Sequence, residues 1–119
     1  MDVEVHSYPS TGESYHWSCN QSKEWDCRDA ELRIVEPGDE ARPLAQWSET
    51  RSCLVERSHP TPEGGVEAEL VVLEKGEEES DYLGVNVEGK IVVTNGNLAR
   101  VYDLAVRRRG AMGIIYDGM

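Results

Sequence analysis

Three histidines (His6, His16, His59) and three cysteines (Cys19, Cys27, Cys53) are the residues of this chain with the widest chemical repertoire. A structural or catalytic zinc site draws three or four such ligands from short, recurrent spacings. His16, Cys19 and Cys27 come nearest, but a His-x2-Cys pair followed by a seven-residue gap matches no common zinc pattern. A Cys19–Cys27 disulfide across the same irregular segment would need an oxidising compartment. Three reduced thiols is the simpler reading, and it favours a cytoplasmic context over a secreted one. Nucleophile elbows of the Gly-x-Ser-x-Gly type, His-Glu-x-x-His helices and Gly-Lys-Ser/Thr loops do not occur in the sequence. No catalytic residue, metal ligand or cofactor site is therefore expected within these residues, and no binding residue can be named.

Four polar or aromatic groupings invite weaker readings. Asn95-Gly96-Asn97 lies between an apolar run and a helical pattern, where backbone N–H groups can receive a phosphate. It has one glycine and no following lysine, so a structural turn with Asn97 as N-cap is the expectation. Glu77-Glu78-Glu79-Ser80-Asp81 could hold a cation or a basic partner, and a solvated turn is the plainer alternative. Arg107-Arg108-Arg109 could dock an acidic partner, although cations in the last turn of a helix also complement its dipole. Trp17, Trp25 and Trp47 could form an aromatic ligand platform. In a chain without phenylalanine they are expected to serve instead as the bulky fillers of core and rim. Asn20-Gln21-Ser22 is a formal glycosylation triplet of a kind that arises often by chance.

The elements that would position these groups can be read from periodicity. Residues 3–8 alternate apolar and polar, and residues 15–17 are a candidate strand pairing back on them. Residues 18–28 have no clean period and read as a loop. Residues 30–35 alternate again and stop at Pro37-Gly38. Residues 44–47 suggest one helical turn, and residues 52–55 a further strand. Residues 66–73, bounded by Gly64-Gly65 and Gly76, form the clearest strand of the first two thirds.

In the last third, Lys90-Ile91-Val92-Val93-Thr94 reads as a buried strand. Leu98, Val101, Tyr102 and Ala105 then recur at i, i+3, i+4 and i+7, one face of a helix. Gly110 sits where a left-handed residue ends a helix, and Met112-Gly113-Ile114-Ile115-Tyr116 is a second apolar strand. Strand, helix and strand over residues 90–116 predict a right-handed crossover with parallel strands. Leu98, Val101, Tyr102 and Ala105 should be buried, together with Ile91, Val93 and Ile114 or Ile115.

Composition limits the functional classes. The 119 residues suffice for one domain with a core, and they carry 23 acidic against 12 basic side chains, a net charge of −11. Nucleic-acid affinity is built on phosphate neutralisation by basic faces, so that class is disfavoured. No stretch approaches the roughly 20 apolar residues that span a bilayer, and the first residues lack the apolar core of a signal peptide. The sequence stops directly after an apolar strand pattern, as expected of a piece of a larger protein.

The order of these motifs resembles the protease-associated (PA) domain. In that family a Gly-Lys-Ile-Val strand leads to a helix, an Ala-Gly-Ala turn and a Gly-Val-Ile-Ile-Tyr strand. The matching residues are Gly89, Lys90, Ile91 and Val92, then Arg109, Gly110 and Ala111, then Gly113, Ile114, Ile115 and Tyr116. Many PA domains carry Arg-Gly-x-Cys-x-Phe between strand and helix, whereas Thr94-Asn95-Gly96-Asn97-Leu98-Ala99 is shorter and lacks it. Segments at Glu24-Trp25, Ala30-Glu31-Leu32, Pro43-Leu44-Ala45 and Arg57-Ser58-His59-Pro60 look like the PA insert of some M28-type zinc aminopeptidases.

The resemblance implies a single PA-like domain over residues 1–119, of α+β class but mainly β. The expected architecture is a sandwich or open barrel with a C-terminal βαβ crossover and one or two flanking helices. It further implies a non-catalytic module of a zinc peptidase that shapes substrate access or peptide and protein interaction. Its partners would be the catalytic domain of the same chain, which would hold the zinc, and peptide substrates, with neither nucleic acid nor membrane involved. The alternative is a stand-alone ligand- or protein-binding module without a peptidase partner.

Overall fold

The computed structural model describes residues 10–13, 15–16, 19–20 and 23–118. The strand expected over residues 3–8 lies outside them. The chain divides into two compact units, residues 1–59 and 60–119, and its regular elements are mainly strands, as the α+β, mainly β expectation requires.

In the first unit, β1 (Tyr15–His16) pairs antiparallel with β2 (Cys19–Asn20), so part of the segment read as loop is a short hairpin. Thr11 makes a separate antiparallel bridge to Lys23. The alternating residues 30–35 do form a strand, β3 (Glu31–Ile34). Its partner is β4 (Arg42–Gln46), which occupies the position where the sequence suggested a helical turn. Pro43 is accommodated because this sheet has only two strands and a register shift lies next to it, between Leu32 and Arg33. Residues 52–55 are likewise not a strand: Arg51–Cys53 is a 3₁₀ turn. Four residues of mixed polarity cannot distinguish a strand from a single turn when nothing pairs with them. Trp25 and Trp47 meet edge to face, 6.3 Å between ring centroids, and the Trp25 indole N–H donates to the Ser58 carbonyl at 3.2 Å.

The second unit holds the buried core. β5 (Leu70–Val72), β6 (Ile91–Thr94) and β7 (Gly113–Tyr116) form a parallel sheet with β6 in the centre. The crossover from β6 to β7 runs through α1 (Leu98–Val101), which continues without interruption into a π-helical segment, Tyr102–Arg107. Gly110 follows at φ +73°, the left-handed stop expected of that position. Strand, helix and parallel strand thus stand where periodicity placed them.

The buried faces differ from expectation in two respects. Val101 and Ala105 are buried, but Leu98 is only half-buried and Tyr102 is 46% exposed, while Leu104 takes the inward position. The wider π turn rotates the residues after Val101 relative to a 3.6-residue helix, and the Arg108 N–H accordingly reaches back five residues to the Asp103 carbonyl. On β6 the fully buried residues are Val92 and Thr94, whereas Ile91 and Val93 are half-buried, as are both Ile114 and Ile115 on β7. An unbroken apolar run carries no parity, so only the helix decides which face it covers. The resulting core joins Leu73, Tyr82, Val87, Val92, Val101, Leu104, Ala105 and Ala111.

Candidate functional site

The acidic run, separate in sequence from both, reaches the turn at 95–97 at the start of the helix through Glu77 and the arginines at its end through Glu79. Thr94 is buried, and its hydroxyl donates to the Lys75 carbonyl at 2.6 Å while accepting from the Gly96 N–H at 3.0 Å. Gly96 packs so closely on Lys75 that any Cβ there would overlap the Lys75 carbonyl. Asn97 caps the helix as expected, its side-chain oxygen accepting from the Ala99 and Arg100 N–H groups at 3.1 and 3.2 Å. The Asn97 N–H, which a phosphate would need, donates instead to a Glu77 carboxylate oxygen at 2.9 Å. An anion already sits at this helix start, and it belongs to the protein.

The acidic run is equally committed. Asp81 accepts from the Glu77 and Glu78 N–H groups at 2.9 and 3.1 Å, which folds Glu79–Tyr82 into a 3₁₀ turn. Glu79 projects from that turn between Arg108, 3.1 Å away, and Arg109, with which it is also paired. Hydrogen bonding from Arg109 holds the Glu79 carboxyl below the usual glutamate range. Arg108 also pairs with Asp103 at 2.7 Å, and Arg107 with Asp103 at 3.2 Å.

Arg109 additionally donates to the Leu104 carbonyl at 2.9 Å and lies 4.3 Å over the ring of Tyr82. The Tyr82 hydroxyl donates to the Gly76 carbonyl at 2.7 Å, and burial pushes its phenol above the ordinary value. Arg108 and Arg109 therefore fasten the helix C-terminus to the acidic turn, while Arg107 pairs within the helix. Sequence reading assigned it to helix-end electrostatics and could not see the partner Glu79, because a pair 29 or 30 residues apart leaves no local pattern.

Comparison with family models, curated proteins and solved structures gives no match.

Beside this network lies an open groove of about 680 Å³, lined by the Gly84–Glu88 segment on one side and by Arg108, Arg109 and Gly110 on the other. It is polar and wide, and no sequence motif marked it. The Gly-Lys-Ile-Val motif has a structural use: Lys90 bridges to Glu69 at 2.8 Å, joining the start of β6 to β5 and lowering the Glu69 carboxyl by that bond.

The remaining expectations separate. Cys27 and Cys53 are free thiols, with the Cys27 thiol 3.4 Å from the Asp29 carbonyl. Of the aromatic platform, Trp25 and Trp47 are the packed pair already described, and Trp17 lies outside the described residues. So do His6 and Ser22 of the glycosylation triplet, as well as the side chains of His16 and Cys19, which leaves the His16–Cys19–Cys27 grouping without a described geometry. Among the described residues no cluster of His, Cys, Asp and Glu is placed to hold a metal ion.

Proposed function

We propose that this chain is a non-catalytic, protease-associated module of a zinc peptidase, shaping the access of peptide substrates to a catalytic body in the same protein or mediating peptide and protein interaction. The observation carrying this reading is the parallel β6–helix–β7 crossover, in which Gly89-Lys90-Ile91-Val92 leads from a turn into the first strand and Gly113-Ile114-Ile115-Tyr116 forms the last. It is supported by the state of the loop between them, where Glu77 and Asn97 fill the groups a nucleotide would use. The finer architecture proposed is a PA-like sandwich or open barrel, and the zinc of the reaction would be held by the catalytic body.

The test is made in the protein that contains this segment. Flanking segments should supply His, Asp and Glu zinc ligands, and excising the module should change kcat/KM for long peptides more than for a short aminoacyl reporter. A reading frame without a peptidase body would overturn the proposal. So would peptide turnover by the purified chain that disappears on replacing His16, Cys19 or Cys27.

A stand-alone binding module is the second reading, favoured by the groove beside Arg108 and Arg109. Titration with acidic peptides, followed by amide shifts of Gly84–Glu88, separates the two.

A further inference from the structure

Asn95-Gly96 is the one asparagine–glycine pair of the chain, whose other asparagines precede Gln21, Val87 and Leu98. Glycine has no Cβ to shield its backbone nitrogen, so an Asn-Gly pair turns that nitrogen onto the asparagine amide more easily than any other. The fold exposes one reactant and locks the other. Asn95 is exposed, and its side-chain amide makes no hydrogen bond among the described residues. Gly96 is buried, its N–H donates to the Thr94 hydroxyl at 3.0 Å, and a Cβ built on it would overlap the Lys75 carbonyl oxygen. Thr94 is itself fixed: its hydroxyl donates to that same carbonyl at 2.6 Å, and its own carbonyl accepts from the Asp117 N–H at 2.8 Å.

We propose that Asn95 is a self-modification site held latent by this turn. Opening of the turn frees the Gly96 nitrogen to attack Asn95, and the product keeps the turn from closing again. In the open turn the Gly96 nitrogen loses its proton and bonds to Asn95 Cγ, while the Cγ–Nδ2 bond breaks and ammonia leaves with that proton. Water then opens the cyclic imide at either carbonyl, giving aspartate or isoaspartate. The imide has no Gly96 N–H to offer Thr94. Isoaspartate regains one, but its backbone is one atom longer between Thr94 and Gly96, both of which are held against Lys75. It also adds a carboxylate two residues before the Asn97 N–H, which the Glu77 carboxylate already occupies at 2.9 Å. The reaction therefore runs one way and marks chains whose second unit has opened, at a rate set by that local opening. The inference is independent of the peptidase reading.

Peptide mapping reads the result, since trypsin releases residues 91–100 and the conversion of amide to acid at Asn95 can be followed in that fragment. In mildly alkaline buffer the 119-residue chain should convert Asn95 at least tenfold more slowly than the same chain in urea, the ratio that about 1.4 kcal/mol of opening free energy imposes. Thr94→Val leaves the Gly96 N–H without its acceptor and should raise the folded-state rate several-fold, whereas Thr94→Ser keeps the hydroxyl and should not. Isoaspartyl chains separated after the urea reaction should fail to recover slow amide exchange at Val92 and Val101 in native buffer. Asn95→Asp adds the same charge without lengthening the backbone and should recover it. Equal rates in buffer and urea would overturn the proposal. So would a folded-state rate indifferent to Thr94→Val, or an isoaspartyl chain that folds as fully as Asn95→Asp. The buffer–urea ratio and the refolding comparison leave Thr94 unaltered, so they decide the matter even where Thr94→Val fails to fold.

Discussion

Gly96 and Asn97 carry opposite lessons about what a residue contributes to a turn. Gly96 is required by space: a methyl group there meets the Lys75 backbone carbonyl, which cannot move without breaking its bond from Thr94. Gly96→Ala should therefore destabilise the second unit by about 2–4 kcal/mol, in the range of strained or overpacked sites, measured by urea unfolding. Asn97→Ala removes an acceptor for two N–H groups and should cost about 0.5–2 kcal/mol.

Glu79 gives a pH prediction. Its folded-state pKa lies below the ordinary glutamate value, chiefly through the Arg109 bond. Stability from this group is therefore complete above that value and is lost as pH falls through the lower folded value. Glu79→Gln should flatten the acid limb of the stability–pH curve, and an unchanged limb would show that the ion pairs are too exposed to matter.

The helix shows why a correct element can present a shifted face. Leu98, Val101, Tyr102 and Ala105 follow the α period, and the first turn obeys it up to Val101. From Tyr102 the segment is π-helical, and the buried residues become Leu104 and Ala105. Arg109 supplies a reason at the far end, since its bond to the Leu104 carbonyl and its stacking on Tyr82 fix where the last turn must lie. Leu104→Ala should cost about 2–5 kcal/mol as a core truncation, whereas Tyr102→Ala at a 46% exposed site should cost under about 1 kcal/mol. Equal losses at the two positions would contradict the π-helical register.

Across the molecule, burial is uneven. Every residue of the buried core cluster lies between Leu73 and Ala111, within the second unit. Among the residues of the first unit whose burial is described, the side chains are half-buried or exposed. Amide exchange should follow this division, with Val92, Thr94 and Val101 the slowest and the β3–β4 hairpin opening at lower free energy. Uniform protection across both units would refute it.

Charge acts at this scale as well. An acidic module near a peptidase mouth would attract basic peptide ends and act on encounter rate. The Glu77–Asp81 run is a poor place to test that idea, because three of its acids hold the turn and the arginines. Neutralising the exposed Glu63 and Glu74, which make no ion pair among the described residues, tests the field without loosening the fold.

Local chemistry was enough to determine the crossover and the end of its helix. An apolar strand, an Asn N-cap, a helical period, Gly110 and a second apolar strand each act within a few residues, and together they admit only one connection. The strand over 30–35 was legible for the same reason, through its alternation. What the sequence left open was every choice made between distant segments. Residues 42–46 became a strand because β3 was there to pair with them, and Val92 rather than Val93 became core because of the side on which the helix lay. The anion at the Asn97 N–H turned out to be Glu77, 20 residues away. Such pairings depend on which groups the folded chain brings within about 3 Å, the reach of a hydrogen bond, and that proximity exists only in three dimensions.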